Sequence, residues 1–419
     1  MADYRDMWKR LNMDLERHDQ LCEVLPELYS SVYLDQKDRP EGMNYFNFVI
    51  SEVHGLRVQE LEEARKSGKK VVGTFCVFVP DEVILALDAV GVGLCAGSQF
   101  WIESGEKVLP KNLCPLIKAF TGAMVDKTCP YFQSCDMLIG ETTCDGKKKA
   151  WEILNEYKPV HVMDLPQMKR CKDHTMWNEE IQIFIDKMEE LTGNKLTVEN
   201  LKKAINLCNR KRRVLKRLYD LRKFKPSPIS GLDSLLISQI AFYDDPERFI
   251  ENVSNLCDEL EERIKKQVDE GKKRIMITGT PMALPNWKMH SIIENLNAQV
   301  VVEETCTGTR YFENEVCEEG ETLEELIRNL GDRYLNINCA CFTPNTGRID
   351  DLVRYAEEYD VDGVIDYGLS FCHTYSIESK SIQDALREKN IPVMRIETDY
   401  SNEDSGQIKT RIEAFLEMM

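Results

Sequence analysis

Four predicted strands of this chain each run directly into a cysteine, and this pattern constrains the fold more than any other feature. The strands and their cysteines are Lys70–Phe75 with Cys76, Met137–Glu141 with Cys144, Val300–Glu304 with Cys306, and Val364–Tyr367 with Cys372. In an open α/β sheet the carboxyl ends of the strands face one crevice, where ligands bind. Cysteines far apart in sequence can therefore deliver thiolates to one place, which is how a protein holds an iron–sulfur cluster.

Predicted strands alternate with predicted helices in two stretches of the chain, which indicates parallel sheets. The first stretch adds the strands Gly93–Cys95 and Val160–Leu165 and the helices Asp81–Val90, Leu116–Phe120 and Asp145–Glu156. The second stretch adds the strands Arg274–Thr278 and Ile391–Ile396 and the helices Leu323–Leu330 and Ser405–Met418. The sequence therefore predicts an α/β protein with two doubly wound parallel-sheet domains.

Helix-period segments set the other boundaries. Asn44–Lys66 has apolar residues at helical spacing with charges between them, and Ser67 and Gly68 follow as a helix stop. Residues 171–270 lack strand patterns and predict three or four helices, with a break at Pro226–Gly231. We predict a helical N-terminal region over 1–68, a first α/β domain over 69–170, a helical connecting segment over 171–270 and a second α/β domain over 271–419.

The charge and hydropathy of the chain exclude several classes of partner. The net charge of −18 argues against nucleic acid or an anionic membrane. The basic runs Arg210–Arg213 and Lys147–Lys149 lie in helical stretches and are predicted to be solvated faces. No segment approaches the length of a membrane-spanning apolar run, and the N-terminus lacks the apolar core of a secretion signal. We therefore expect a cytoplasmic protein, in which thiols stay reduced.

The chain has 15 cysteines, and reduced thiols in that number are either small buried hydrophobes or metal ligands. Cys22, Cys208 and Cys257 lie in helix-period stretches and are predicted to be structural. The remaining cysteines with a candidate role are concentrated in two groups and one single position: Cys114, Cys129, Cys135 and Cys144; Cys306, Cys317, Cys339 and Cys341; and Cys372. Spacing alone leaves an iron–sulfur cluster, zinc and buried thiols open, although a zinc knuckle is disfavoured because structural zinc usually brings paired, close ligands.

Two segments of the sequence partly match nucleotide-binding motifs, but neither match is complete. Five residues separate Gly140 from Gly146, and Lys148 follows Lys147, whereas a phosphate-binding Walker loop has four intervening residues and Ser or Thr after its lysine. Gly91 and Gly93 lack the third glycine of a dinucleotide fingerprint. If ATP is used, another protein is expected to hydrolyse it.

Five motifs in the chain resemble one family. They are GTFCVFVPDE at 73–82, NLCPLIK at 112–118, ETTCDGKKK at 141–149, ETCTG at 304–308 and FCHTY at 371–375. Over about residues 65–419 the chain resembles the 2-hydroxyacyl-CoA dehydratase and benzoyl-CoA reductase family, and it is most similar to the branch of double-cubane cluster proteins. The resemblance implies two flavodoxin-like domains with a cluster between them, in a homodimer.

The resemblance also implies which cysteines hold iron. A dehydratase-type 4Fe–4S cluster would use three of them: Cys114, Cys144 and Cys372. A double-cubane 8Fe–9S cluster would need three more, which we expect to be Cys129, Cys306 and Cys341, and the reserves are Cys76, Cys95 and Cys339.

The function implied by the resemblance is that of an iron–sulfur reductase. It would receive low-potential electrons from an ATP-hydrolysing 4Fe–4S reductase and reduce a small-molecule substrate. The alternatives are a subunit of a 4Fe–4S 2-hydroxyacyl-CoA dehydratase, which is a radical lyase, and a non-enzymatic electron carrier. His373, beside Cys372, and Glu141, before the TCD element, are the candidate catalytic residues. The alternative role for both is hydrogen bonding that fixes their loops.

Overall fold

The computed structural model describes residues 4–419, and two four-stranded parallel sheets form its centre. The first sheet has the order β2-β1-β3-β4, with β1 Val71–Thr74, β2 Val90–Gly93, β3 Met137–Glu141 and β4 Val160–Met163. The second has the order β6-β5-β7-β8, with β5 Lys273–Gly279, β6 Ala298–Glu304, β7 Gly363–Leu369 and β8 Val393–Thr398. Both sheets are parallel throughout, so the predicted fold class is confirmed.

Helices precede, connect and cover the sheets. Before the first sheet they are Arg5–Arg10, Leu15–Tyr29, Met43–Ser51 and Leu56–Lys66, with a π-helical turn at Ser30–Leu34. Around the first sheet they are Asp81–Ala86, Ile102–Gly105, Pro115–Val125, Pro130–Ser134 and Asp145–Leu154, with a 3₁₀ turn at Gln99–Trp101. The connecting segment has Cys171–Thr192, Val198–Leu221, Gly231–Ile240 and Pro246–Ile264. Around the second sheet they are Lys288–Asn295, Thr309–Phe312, Leu323–Leu335, Thr346–Glu358, His373–Glu388 and Ser405–Glu417.

The inner strands are buried at every position except Lys273, the first residue of β5, as expected for a parallel sheet covered by helices on both faces. Every residue of β1, β3 and β7 is buried, whereas the edge strands β4 and β8 are only partly buried. The core therefore lies between each sheet and its helices. In the described part of the chain no helix is both long and apolar enough to cross a membrane.

Two sequence predictions of helices are corrected. The helix predicted over Asp81–Val90 ends at Ala86, because Asp88 takes a positive φ of 57° and the chain then enters β2. The helix predicted within Asn44–Lys66 is broken into two helices between Ser51 and Leu56. The domain boundaries stay predictions, although the two sheets lie in separate stretches, 71–163 and 273–398.

The helix Val198–Leu221 joins the two α/β halves through one buried ion pair. Arg212 on this helix lies 2.6 Å from a carboxylate oxygen of Glu82, which belongs to the first half. The other Glu82 oxygen accepts a hydrogen bond of 2.7 Å from the hydroxyl of Tyr334, which belongs to the second half. The side chains of Arg212 and Glu82 are 4% and 0% exposed, so water does not weaken their attraction. The predicted solvated face at Arg210–Arg213 is therefore wrong for Arg212.

We expect Glu82→Gln to destabilise the protein by about 3–5 kcal/mol, because it leaves the Arg212 guanidinium buried without a counter-charge. Anaerobic thermal unfolding of the wild type and the variant measures the loss. The matched control is Glu261→Gln, which removes an exposed partner of Arg217 and should cost no more than about 1 kcal/mol. Equal unfolding midpoints in the two variants would contradict the role assigned to the buried pair.

Candidate metal centre

One cavity of about 750 Å³ collects most of the cysteines that the sequence singled out. Nine of the 15 cysteines line it: Cys76, Cys95, Cys114, Cys129, Cys144, Cys306, Cys339, Cys341 and Cys372. Both α/β halves and the helical connecting segment contribute to its walls. The nine are the six expected ligands and the three reserves, so the folding of strand ends toward one crevice brings all of them together.

Two cysteines of the sequence groups lie elsewhere. The thiol of Cys135 is buried and donates to the carbonyl oxygen of Tyr131 at 3.1 Å. Cys317 is exposed on the surface. Neither is among the residues that line the cavity.

Four of the cavity cysteines are the N-cap residues of helices. Cys114, Cys129, Cys144 and Cys372 precede the helices Pro115–Val125, Pro130–Ser134, Asp145–Leu154 and His373–Glu388. The first turn of a helix has free backbone N–H groups and the positive end of the helix dipole, and both favour a thiolate over a thiol. The proline after Cys114 and after Cys129 suits the first helical position, where no N–H is needed.

The first three predicted ligands form one interacting group. The thiols of Cys114 and Cys372 interact with each other, which raises the pKa of Cys114 and lowers that of Cys372. Cys144 interacts electrostatically with both, and its sulfur accepts the backbone N–H of Lys147 at 3.4 Å. Cys114 and Cys144 come from the first half of the chain and Cys372 from the second. This trio therefore forms only when the two halves are docked.

A second group contains four thiols. Cys76, Cys306, Cys339 and Cys341 each interact electrostatically with the other three. A hydrogen bond from the Cys341 thiol lowers the pKa of Cys339 against the opposing effect of burial, and the nearby Arg310 guanidinium lowers it further. Cys339 also interacts with Cys372, so the two groups are adjacent.

Cys129 and Cys95 also line the cavity, and of these two Cys95 interacts with Cys306 of the quartet. Burial raises the pKa of Cys129 to about 11 against the opposing effect of the backbone N–H groups of Phe132 and Tyr131, and the thiol with which it interacts is Cys135. The thiol of Cys95 donates to the carbonyl oxygen of Phe75 at 3.0 Å. The structure thus places Cys76 and Cys339 beside Cys306 and Cys341, where the sequence prediction expected Cys129.

Two buried cations face the thiols. The guanidinium of Arg310 lies 3.7 Å from the Cys306 sulfur and donates to the Glu304 carboxylate at 2.9 Å. The ammonium of Lys147 forms a buried ion pair with Glu141 and lies 3.5 Å from the carbonyl oxygen of Phe75. Burial lowers the pKa of Lys147, but the Glu141 carboxylate outweighs it and holds the pKa above its usual value. Both side chains therefore stay charged and can balance negative charge in the cavity.

Lys147 corrects the prediction of a solvated face at Lys147–Lys149. Lys148 and Lys149 are exposed as predicted, whereas Lys147 is buried. Because Lys147 occupies the third position of the helix that begins after Cys144, its backbone N–H caps the sulfur while its side chain turns toward Glu141. Strand β3 is apolar in sequence and ends in Glu141, and a buried carboxylate needs a cation as its partner. This was the sequence signal that could have identified Lys147 as buried.

The two candidate catalytic residues occupy different places. His373 is exposed, lines the cavity and begins the helix that follows Cys372. Glu141 is fully buried, is not among the lining residues, and pairs with Lys147. His373 is therefore accessible from solvent at the edge of the cavity, whereas Glu141 holds the Lys147 side chain in position. Their roles in the reaction stay predictions.

Comparison with known proteins identifies relatives over nearly the whole chain. The family model described as 2-hydroxyglutaryl-CoA dehydratase, D-component, matches residues 76–419. The Escherichia coli (strain K12) protein named "Putative dehydratase subunit YjiM" is 42% identical over 87% of this chain and 94% of its own length. The (R)-phenyllactyl-CoA dehydratase beta subunit of Clostridium sporogenes is 23% identical over 90% of this chain and 98% of its own length.

A further relative extends the set beyond dehydratases. One of the benzoyl-CoA reductase subunits of Thauera aromatica is 22% identical over 81% of this chain and 88% of its own length. The family match covers all nine cavity cysteines, since the first of them, Cys76, is its first residue. The chain therefore belongs to the 2-hydroxyglutaryl-CoA dehydratase D-component family, whose relatives include subunits of 2-hydroxyacyl-CoA dehydratases and of benzoyl-CoA reductase.

Proposed function

We propose that this protein is an iron–sulfur reductase that carries a double-cubane 8Fe–9S cluster in the nine-cysteine cavity. The observation that carries the proposal is the grouping of the thiols into an adjacent trio and quartet. One 4Fe–4S cubane held by three cysteines would leave the second group of four thiols without a role. An all-sulfur donor set of this size fits iron–sulfur ligation, and it exceeds the four close ligands of a structural zinc site.

The geometry supports one refinement of the ligand set. Cys114, Cys144 and Cys372 are proposed for one cubane, as the sequence predicted. For the other, Cys306 and Cys341 are retained, and Cys76 is proposed in place of Cys129. Cys76 follows the buried strand β1 and interacts with both of them, whereas the thiol with which Cys129 interacts is Cys135, outside the cavity lining. Cys339 is the remaining reserve, with its sulfur 3.5 Å from the hydroxyl of Tyr375.

The surrounding residues suit low-potential electron chemistry. When bound, the cluster would supply electrons one at a time at a potential set by its charge, its hydrogen bonds and its exposure. Arg310 and the backbone N–H groups at the helix N-termini would place positive charge and donors beside the sulfurs. Apolar wall residues such as Leu113 and Phe242 would limit water. His373, on the exposed side, is the group we propose to hold a proton for the substrate.

The source of electrons is proposed to be a separate ATP-hydrolysing 4Fe–4S reductase. No Walker loop occurs in the sequence, and the family resemblance implies such a partner, together with a homodimer. The proposed location is the cytoplasm, as expected from the hydropathy of the sequence. The substrate is proposed to be a small molecule that enters beside His373. The second candidate function is a subunit of a 4Fe–4S 2-hydroxyacyl-CoA dehydratase. It is favoured by the names of the relatives and by the trio Cys114, Cys144 and Cys372, which by itself could hold one cubane.

We expect anaerobically purified protein to be brown, oxygen-sensitive and loaded with about eight irons per chain. The reason is that the two thiol groups provide ligands for two cubanes. Elemental analysis of iron and sulfide per chain is the measurement. About four irons per chain would move the assignment to the dehydratase, and colourless protein that holds zinc in the cavity would exclude a cluster of either kind.

EPR spectroscopy tests the proposed ATP-dependent electron transfer from the partner reductase to the cluster. With the partner reductase, a low-potential electron donor and ATP, the EPR spectrum of the cluster should change on mixing, and omission of ATP should abolish the change. A cluster that is reduced equally well without ATP would contradict the proposed coupling. ATP-dependent turnover of a 2-hydroxyacyl-CoA thioester would support the dehydratase instead.

Cysteine variants test the ligand refinement. We expect Cys76→Ala and Cys306→Ala to lower the iron content, since each would leave one iron of the second cubane open to solvent. Cys129→Ala and the control Cys208→Ala, a buried thiol within the helix Val198–Leu221, should retain the iron of the wild type. Iron per chain and the EPR spectrum are the measurements. Loss of iron in Cys129→Ala with retention in Cys76→Ala would restore the assignment made from the sequence.

A further inference from the structure

A second group of metal-ligating side chains lies in the N-terminal helices, apart from the nine cavity cysteines. His18 and Cys22 lie four residues apart on the helix Leu15–Tyr29, and therefore on one face of it. His54 lies in the turn between the helices Met43–Ser51 and Leu56–Lys66. The sequence predicted only a structural role for Cys22, because its helical position gave no hint of the two imidazoles.

The three side chains bring their ligand atoms to one point. Nε2 of His18 lies 2.9 Å from Nδ1 of His54, and the Cys22 sulfur lies 3.7 Å from Nε2 of His18. All three ligand atoms lie within 4.8 Å of one another. Tetrahedral zinc, with bonds of about 2.0 Å to nitrogen and 2.3 Å to sulfur, separates two nitrogens by about 3.3 Å and nitrogen from sulfur by about 3.6 Å. The Cys22 sulfur also lies 3.8 Å from Nδ1 of the His18 ring, so its side chain must rotate toward Nε2 for the three ligand atoms to hold one ion.

The surroundings hold the three ligands in place. His18 is fully buried, and the Trp8 ring lies against it with a centroid separation of 4.3 Å. The indole N–H of Trp8 donates to the carbonyl oxygen of His54 at 2.8 Å, which fixes the turn. Cys22 and His54 are half-buried. One tryptophan thus positions both imidazoles, as neighbouring residues commonly do for metal ligands.

We propose that His18, Cys22 and His54 bind one Zn²⁺ ion, with the fourth position left to water. Two imidazoles and a thiolate suit zinc, whereas Ca²⁺ and Mg²⁺ require oxygen ligands. The imidazoles bind as neutral rings through Nε2 of His18 and Nδ1 of His54. The Cys22 thiol exchanges its proton for the metal–sulfur bond, so each ion bound releases one proton to solvent.

The ion would connect the N-terminal helices to the cavity of the candidate metal centre. His54 and its neighbour Val53 line that cavity, whereas His18 and Cys22 belong to the helix Leu15–Tyr29. A zinc ion here would fasten this helix to one wall of the cavity. The site does not depend on which cluster the cavity holds.

Zinc titration of the iron-loaded protein under anaerobic conditions tests the proposal. We expect about one zinc per chain to remain after passage through a desalting column, with iron per chain unchanged. Cys22→Ser and His54→Gln should weaken zinc binding by at least about tenfold, since each removes one of three ligands. The matched controls are Cys257→Ser, a thiol within the helix Pro246–Ile264, and His161→Gln, on β4; both should bind zinc as the wild type does.

Cobalt provides an independent spectroscopic readout. Co²⁺ bound to the wild type should give a sulfur-to-metal charge-transfer band that Cys22→Ser lacks and Cys257→Ser retains. If His54→Gln does not fold, the wild type and Cys22→Ser decide the outcome. The proposal is overturned if the wild type retains no zinc. It is equally overturned if zinc binds only as iron is lost, or binds Cys22→Ser and Cys257→Ser alike.

Discussion

The docking of the two α/β halves is the constraint on which the candidate metal centre depends. The thiol pair Cys114 and Cys372 crosses from one half to the other, so a small change in their relative orientation would separate the trio. The buried carboxylate of Glu82 meets Arg212 of the long connecting helix and Tyr334 of the second half. A buried ion pair adds little net stability compared with apolar packing, but it penalises any arrangement that leaves one charge alone. We therefore infer that this contact fixes orientation more than it contributes to stability.

Once the halves are docked, the parallel topology accounts for the chemistry of the site. Parallel strands end on one side, and the helices that follow them begin there, so a cysteine at the junction occupies an N-cap. Cys114, Cys144 and Cys372 all do so before helices of ten residues or more. Each helix offers free N–H groups and a partial positive charge to the sulfur, without the need for further side chains. The fold thus places three cysteines at similar helix N-caps from segments far apart in sequence.

The sequence was sufficient to predict the two parallel sheets and the collection of cysteines at strand ends, because hydrophobic periodicity reports both. It could not rank the cysteines within the cavity. Cys129-Pro130 and Cys114-Pro115 look alike in sequence, yet Cys114 contacts Cys372 while Cys129 has Cys135 as its neighbour. The composition of the two basic runs predicted solvated faces, and this prediction is wrong for Lys147 and Arg212. Both are buried beside acidic residues of other elements. Hydrophobic periodicity does not report ion pairs between different helices and strands. For the same reason it does not report the contact between His18 and His54.

The charged residues around the cavity help to choose between the two proposed clusters, the double cubane and the single 4Fe–4S cubane. A cubane with thiolate ligands is anionic, and two adjacent cubanes would repel each other strongly in a buried site. Cations facing both thiol groups would offset that repulsion, and Lys147 and Arg310 meet this requirement. The Lys147 ammonium interacts with Cys144 of the trio and with Cys76 of the quartet, and Arg310 contacts Cys306 of the quartet. Arg310 is also the counter-charge of the buried Glu304 carboxylate, which allows its guanidinium to remain in the interior. Two buried cations beside the adjacent thiol groups suit the greater negative charge of two cubanes, and this is the argument that the charges give for the larger of the two proposed clusters.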